Sequence, residues 1–376
     1  MQKENNKLVT IEQENNHLFK MITDQHRTEL AQNGFVVIEN VLTEEECDER
    51  IGEYKTWLQQ FRGPGEWPKS LNSLIRGYNA GNLEPTWKVR LAVKPVYRQI
   101  WKTPRLLSSI ETVAIGRPPE EGEEEFAVEG KHWLHCDQGA EKFGLHAYQG
   151  GVYLEAAEED DWTFYVLKKS HKFLDEFYAS DKKVAEESAR HNFFNISANH
   201  LEWFKSKGCE LLRVAVPKGG MVVWDSRLIH ANARPVKGRK NPGRWRFTVL
   251  VCMTPACWAN KSDLEKRQAV YKSAAMISHW PSQDVRVDIQ GSSAPSEQTK
   301  NIVFPEKMSG FAATDGVQEL CGYKEYDFSN VKSNPEISYP KWKQVLHNPP
   351  SEYFLDQRSE PISESTQDWA SYCTLL

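Results

Sequence analysis

The sequence predicts a mainly β domain with flanking helices, built as an antiparallel sandwich or roll. Residues 126–255 carry short runs of β-branched and aromatic residues separated by turns, a spacing typical of such folds. The chain holds 13 Trp and is 11% aromatic, which suits a β-rich core or an aromatic-lined pocket better than a helical bundle. At 376 residues, 39% hydrophobic and 26% charged, it can bury a real core as one large domain or two ordinary ones.

The elements follow in order. Residues 1–25 are polar and rich in Asn, Gln and Glu, and read as a weakly ordered tail. Residues 26–34 form a short helix closed by Asn33-Gly34. Phe35-Val36-Val37-Ile38 is a strand. Thr43 and Glu46 make a capping box, and an amphipathic helix runs on to Phe61. Residues 62–85 lack periodicity and read as a loop. Val89, Val93, Val96 and Ile100 then fall at helical spacing over 88–102, with Pro95 as a local conflict. The acidic run 120–125 reads as a solvated loop. Strands are expected at 132–137, 148–154, 163–167, 214–216, 221–224 and 246–253. A helical insertion at 173–207 interrupts them and could cover one mouth of the roll. A further helix covers 261–275. Residues 291–376 are poor in periodicity and dotted with Pro, Ser and Gly, which suggests an irregular extension, so the globular domain spans about 26–290.

Composition excludes several classes. Against 52 acidic residues stand 47 basic ones, a net charge of -5, so nucleic-acid binding through bulk positive charge is not expected. No run of 18 apolar residues exists, and the first twenty residues lack a secretory h-region. Seven scattered Cys without a CxxC read as reduced thiols, which points to a cytoplasmic protein. No motif specifies an oligomeric state.

The chemistry lies in two segments. In His132-Trp133-Leu134-His135-Cys136-Asp137-Gln138, a strand would project His135 and Asp137 from one face. Gly219-Gly220 opens a turn and an apolar strand that leads to His230. Two His and one carboxylate with three open positions form a facial triad suited to Fe(II) and O2. Beyond it, Arg244-Trp245-Arg246 opens an apolar strand. A buried arginine needs a carboxylate, and either Arg244 or Arg246 could hold the distal carboxylate of 2-oxoglutarate. Gln149 could contact that co-substrate from an inner sheet face, or be a core amide. Cys136 should point away from the metal. His132 is a poor ligand by spacing; His146, His191, His200 and His279 read as surface or packing residues, and His171 as a structural hydrogen bonder. Lys237, Arg239 and Lys240 read as a solvated basic loop.

The order of these pieces resembles the phytanoyl-CoA dioxygenase (PhyH) superfamily over roughly residues 27–281. The resemblance rests on the segment 33–42, His135-Cys136-Asp137-Gln138, Tyr148-Gln149-Gly150, the segment 166–172, the run 223–230 and the Arg246 strand. It implies a double-stranded β-helix core of jelly-roll, cupin-like type. It also implies Fe(II) at His135, Asp137 and His230, and 2-oxoglutarate on Arg246. The implied reaction uses O2, releases succinate and CO2, and hydroxylates or otherwise oxidises a small organic substrate. Two departures stand out. The gap between His230 and Arg246 is long, and Lys168-Lys169-Ser170-His171 replaces the family's Pro-Gly-Ser-His. Retention of Asp137 argues against halogenation. The alternatives are an inactive metal- or ligand-binding β-helix protein and a non-redox cupin-type metal enzyme.

Overall fold

Thr23 caps the first helix, α1 (Asp24–Asn33), by accepting a hydrogen bond from the His26 N–H, and Gly34 ends it at φ 86°. A side chain at Gly34 would also strike the His171 ring. The computed structural model describes residues 22–61, 67–122, 124–288, 308, 310–328 and 338–342. Most of the expected N-terminal tail and most of the expected C-terminal extension lie outside these residues. Strand β1 (Phe35–Ile38) follows, then α2 (Glu44–Leu58), whose Thr43–Glu46 capping box makes both of its hydrogen bonds. The region 62–85 is not only loop: it contains β2 (Ser70–Leu71) and β3 (Leu74–Ile75). Helix α3 (Glu84–Trp101) passes through Pro95, with Val89, Val93 and Val96 on its buried face.

Two antiparallel sheets face one another. The larger adds β4 (Leu106–Ser108), β5 (Val113–Gly116), β8 (Tyr148–Tyr153), β12 (Gly220–Asp225) and β14 (Arg246–Pro255), in the order β1-β12-β8-β14-β5-β3-β2 with β4 also on β14. The smaller runs β10-β6-β13-β9-β11, from β6 (His135–Cys136), β9 (Thr163–Lys168), β10 (Phe194–Asn195), β11 (Glu210–Val214) and β13 (His230–Ala233). Strand β7 (Lys142–Phe143) stands outside both and pairs with β17 (Lys341–Trp342).

Three apolar layers follow from strand alternation. On the outer face of the larger sheet, Phe247, Val249, Val251 and Met253 pack with Tyr54 and Trp57 of α2 and Val93 and Val96 of α3. Between the sheets, Tyr153, Phe164, Val166, Val222 and Trp224 form an inner core. On the outer face of the smaller sheet, Leu134, Cys136, Leu167, Ile229 and Ala231 meet Phe177, Tyr178, Leu201 and Phe204. The last four come from α4 (Leu174–Ser180) and α6 (Ala198–Ser206), with α5 (Lys182–His191) between them. The insertion therefore covers a sheet face, and Phe193 beyond α5 reaches inward to stack on His135 at 5.2 Å.

The described acidic run is mostly exposed, and so are Lys237 and Lys240, as expected; Arg239 is the exception. Arg239 is 5% exposed, binds Glu120 at 2.8 Å and Asp161 at 3.0 Å, and so joins the two segments. Helix α7 (Lys261–Lys272) supports a hairpin of β15 (Met276–Ile277) and β16 (Val287–Asp288), because Asp263 accepts the Val285 N–H at 3.1 Å. Its second carboxylate oxygen is buried without a hydrogen bond among the described residues.

Burial pushes the Asp263 carboxyl from its ordinary 3.8 up to about 6. A carboxyl raised in the folded state costs stability only when ionised. The cost is absent below the unfolded value, grows as pH climbs toward about 6 and is complete above it. Asp263→Asn keeps an acceptor for Val285 and removes the charge. It should add about 1–3 kcal/mol above pH ~6 and nothing near pH ~4. Urea denaturation at both pH values measures this; equal gains at both would contradict it.

Candidate metal centre and co-substrate pocket

Strands β6 and β13 meet at a single register, with His135 opposite His230. Cross-strand partners share a face, so the two rings lie together, 4.5 Å between centroids. Asp137 does not belong to a strand, since β6 ends at Cys136. The chain turns there and brings the carboxylate between the rings: His135 Nε2 is 3.6 Å from Oδ1 and His230 Nε2 is 3.5 Å from Oδ2. All three residues are buried, and one ligand atom from each lies within 4.8 Å of the others. Cys136, between them, faces the outer cluster with Leu134 and Phe177, and burial pushes its thiol up to about 12.

The backbone fixes the imidazole tautomers. His135 Nδ1 is 3.0 Å from the Trp133 carbonyl and His230 Nδ1 is 2.9 Å from the Leu228 carbonyl. A carbonyl only accepts, so each Nδ1 carries the proton and each Nε2 offers its lone pair to the centre. Burial lowers His135, and burial with the neighbouring His135 ring lowers His230 to about 3. Burial alone would raise Asp137, but the imidazoles of His279, His135 and His230 and the Gln149 amide hold it well below the usual carboxylate range. Neutral imidazoles and an ionised carboxylate are the protonation states that metal binding requires. The donor set therefore fits a divalent metal.

Gln149 holds the carboxylate from behind. Its Nε2 donates to Asp137 Oδ2 at 2.9 Å, and its Oε1 accepts from Trp224 Nε1 at 2.8 Å. With both ends of the amide engaged, Gln149 acts through Asp137. Gln149→Leu removes that support and should weaken metal affinity about 10–100-fold. Metal titration of the two proteins tests this; unchanged affinity would remove Gln149 from the site. Around the centre, Trp133 stacks on His135 at 4.5 Å, and Trp224 and Phe164 flank His230 at 5.1 and 5.6 Å. This lining makes a dry wall.

Arg244 and Arg246 have different surroundings. Arg244 precedes β14 and pairs with Asp161 at 2.9 Å, within the Arg239 network. Arg246 begins β14, opposite Gly116, and is 3% exposed. Its guanidinium donates to Asn232 Oδ1 at 2.8 Å, Ser73 Oγ at 3.1 Å and Thr248 Oγ1 at 3.2 Å. All three acceptors are neutral. Among the described residues Arg246 has no carboxylate partner, and burial lowers its pKa. A buried guanidinium compensated only by neutral oxygens is suited to an anion. Asn232 lies two residues beyond His230 on β13, on the same face.

Several of these residues escaped the sequence reading. Asn232 was reachable from His230 by the period of two, had the HANA segment read as a strand. Ser73 sits in a stretch without periodicity and left no signal. Of the histidines read as ordinary, His146 is buried and held by Gln283 and the Lys341 carbonyl, and His171 bonds the Ala31 carbonyl at 3.1 Å. A cleft of 510 Å³ lined by Arg27, Trp101, Tyr148 and Tyr339 contains none of the metal-centre residues.

A family model described as phytanoyl-CoA dioxygenase (PhyH) matches residues 30–238. "Ava biosynthesis cluster protein O" of Aspergillus versicolor is 23% identical over 272 residues, 68% of this chain and 85% of that protein. Among solved structures, the hypothetical protein JW0805 from Escherichia coli aligns with a TM-score of 0.54 and 13% identity, over 80% of this chain and 82% of that one. EctD from S. alaskensis with bound Fe aligns at a TM-score of 0.42 and 12% identity, over 63% and 78%. The JW0805 likeness is one of fold. No helix among the described residues is long and apolar enough to cross a membrane.

Proposed function

The chain belongs to the phytanoyl-CoA dioxygenase (PhyH) family, and from that membership we propose that it is an Fe(II)- and 2-oxoglutarate-dependent dioxygenase oxidising a small organic substrate. In this reading the two sheets are the halves of a double-stranded β-helix, with the metal at one mouth. Membership, the mutual approach of His135, Asp137 and His230, and the unpaired charge of Arg246 support it. The observation that carries it furthest is Arg246: a buried guanidinium with no carboxylate partner among the described residues, adjoining the strand that holds His230.

His135 Nε2, Asp137 and His230 Nε2 would hold the iron, leaving positions open for exchangeable ligands. Arg246 would receive the distal carboxylate of 2-oxoglutarate. Asn232, two residues or about 7 Å along the strand from His230, would keep the guanidinium aimed. Arg246 suits that role better than Arg244, whose charge Asp161 already takes. When bound, the iron supplies O2 activation coupled to decarboxylation of 2-oxoglutarate to succinate and CO2, with oxidation of the substrate. The chain's own part is placement and exclusion of water. Gln149 fixes the carboxylate, the Trp133 and Leu228 carbonyls fix the imidazoles, and Trp133, Phe164, Phe193 and Trp224 wall the centre.

Incubation with Fe(II), 2-oxoglutarate and air should release succinate, slowly without substrate and faster with one. Iron-loaded protein that releases none, with or without a panel of small organic compounds, would contradict the proposal. The binding-protein or non-redox reading would then take its place.

A further inference from the structure

Arg76 directly follows β3 and is half-buried, and among the described residues it has no hydrogen bond and no ion pair. A guanidinium partly withdrawn from water and without an acceptor is suited to an incoming anion.

Strand register places it. Ile75 lies opposite Val113, and both belong to the outer cluster of the larger sheet. Leu74 lies opposite Ala114, Ala114 opposite Thr248, and Thr248 opposite Tyr153 of the inner core. That row therefore faces the space between the sheets. Alternation returns Arg76 to the face of Leu74, on the side of Arg246 and Gln149. Ser73, just before β3, accepts from Arg246 at 3.1 Å, which ties this edge to the co-substrate pocket.

The order of the two sheets sets what stands across the gap. Phe164 of β9 packs on Trp224 of β12 at 4.5 Å, and Asn232 of β13 accepts from Arg246 of β14 at 2.8 Å. Beyond these pairs the smaller sheet continues to β6 and β10, and the larger to β5 and β3. The β6–β10 edge, which carries His135, therefore opposes the β5–β3 edge, to which Arg76 belongs. Trp133 and Phe193 stand on the first edge, stacked on the His135 ring at 4.5 and 5.2 Å. Both are half-buried, whereas Trp224 and Phe164 on the other flank of the centre are buried. The open side of the centre thus presents two aromatic rings beside a metal ligand and, across from them, a guanidinium without a partner among the described residues. The Arg76 charge reaches His135, where it adds to the lowering that burial causes.

We propose that Arg76 binds the acidic group of the primary substrate, an organic acid whose apolar or aromatic body lies against Trp133 and Phe193. The inference rests on the reading of the triad as an oxygenase centre and names the class of its substrate. The role is separate from that of Arg246, which sits deeper, at 3% exposure, on β14.

The test uses the full chain with Fe(II) and 2-oxoglutarate under anaerobic conditions. The probes are phenylacetate, 3-phenylpropionate and 4-phenylbutyrate, each compared with its uncharged amide, with binding read from tryptophan fluorescence. At least one acid should bind about tenfold or more tightly than its amide, the strength of a hydrogen bond to a charged group. Arg76→Met should remove that preference, and Arg76→Lys should restore part of it. Amide affinity should be the same in wild type and Arg76→Met, which guards against a folding defect. Affinity for 2-oxoglutarate should stay within about threefold, because Arg246 is untouched. No detectable binding of any acid, acids and amides that bind alike, or a preference that survives in Arg76→Met would overturn the proposal. So would a parallel fall in 2-oxoglutarate affinity, which would make Arg76 part of the co-substrate anchor. The expected acid preference with no succinate released in air would overturn the oxygenase reading alone. Succinate release without an acid preference would overturn this inference alone.

Discussion

Asp137→Ala will lose iron and activity together while remaining folded. Asp137 supplies the anionic corner of the triad and the atom that Gln149 grips. Removing an outer partner of a metal ligand costs about 10–100-fold in affinity, so removing the carboxylate itself should exceed about 100-fold. Succinate release should then fall below detection at micromolar iron. The metal-free fold should tolerate the change, because both neighbouring imidazoles are kept neutral by burial and anchored by backbone carbonyls rather than by the carboxylate. Iron titration, succinate assay and thermal unfolding of one preparation read all three quantities. Retained iron affinity would place the metal elsewhere; an unfolded variant would mean that Asp137 is structural.

Arg246→Met will raise the KM for 2-oxoglutarate and leave iron binding alone. Methionine keeps much of the volume and removes the charge. Truncating one partner of a buried, hydrogen-bonded charge pair costs about 2–4 kcal/mol, some 30- to 1000-fold. Iron affinity should hold within about threefold, since no metal ligand changes. The free protein should be no less stable, and could gain, because Arg246 is a buried charge met only by neutral oxygens. Arg244→Met is the control. It breaks the pair with Asp161, so it should weaken the fold modestly and leave the KM unchanged. The reverse pattern would move the anchor to Arg244.

The triad was legible in the sequence because its signals are local: a His and an Asp one residue apart, and a Gly-Gly turn feeding an apolar strand into His230. The strand supposed to align His135 with Asp137 is only two residues long, so the carboxylate reaches the centre by a turn. The choice between Arg244 and Arg246 was not legible. It depends on where β14 begins after the loop 237–243, and on Asp161, a residue of a distant segment that claims Arg244. Strand β5 was missed because all four of its residues are buried, which erases alternation. Strand β13 was missed because His-Ala-Asn-Ala has no β-branched residue. Helix α3 kept its course through Pro95 because its apolar face is packed along its length.

Iron and 2-oxoglutarate should share one centre. Anaerobic addition of Fe(II) and then 2-oxoglutarate to the purified protein should produce a weak visible metal-to-ligand absorption band. The same additions to His135→Ala should produce none. A band in wild-type protein that is lost in the variant is the predicted result. Folded, iron-loaded wild-type protein without the band, or a band that survives in His135→Ala, would contradict it.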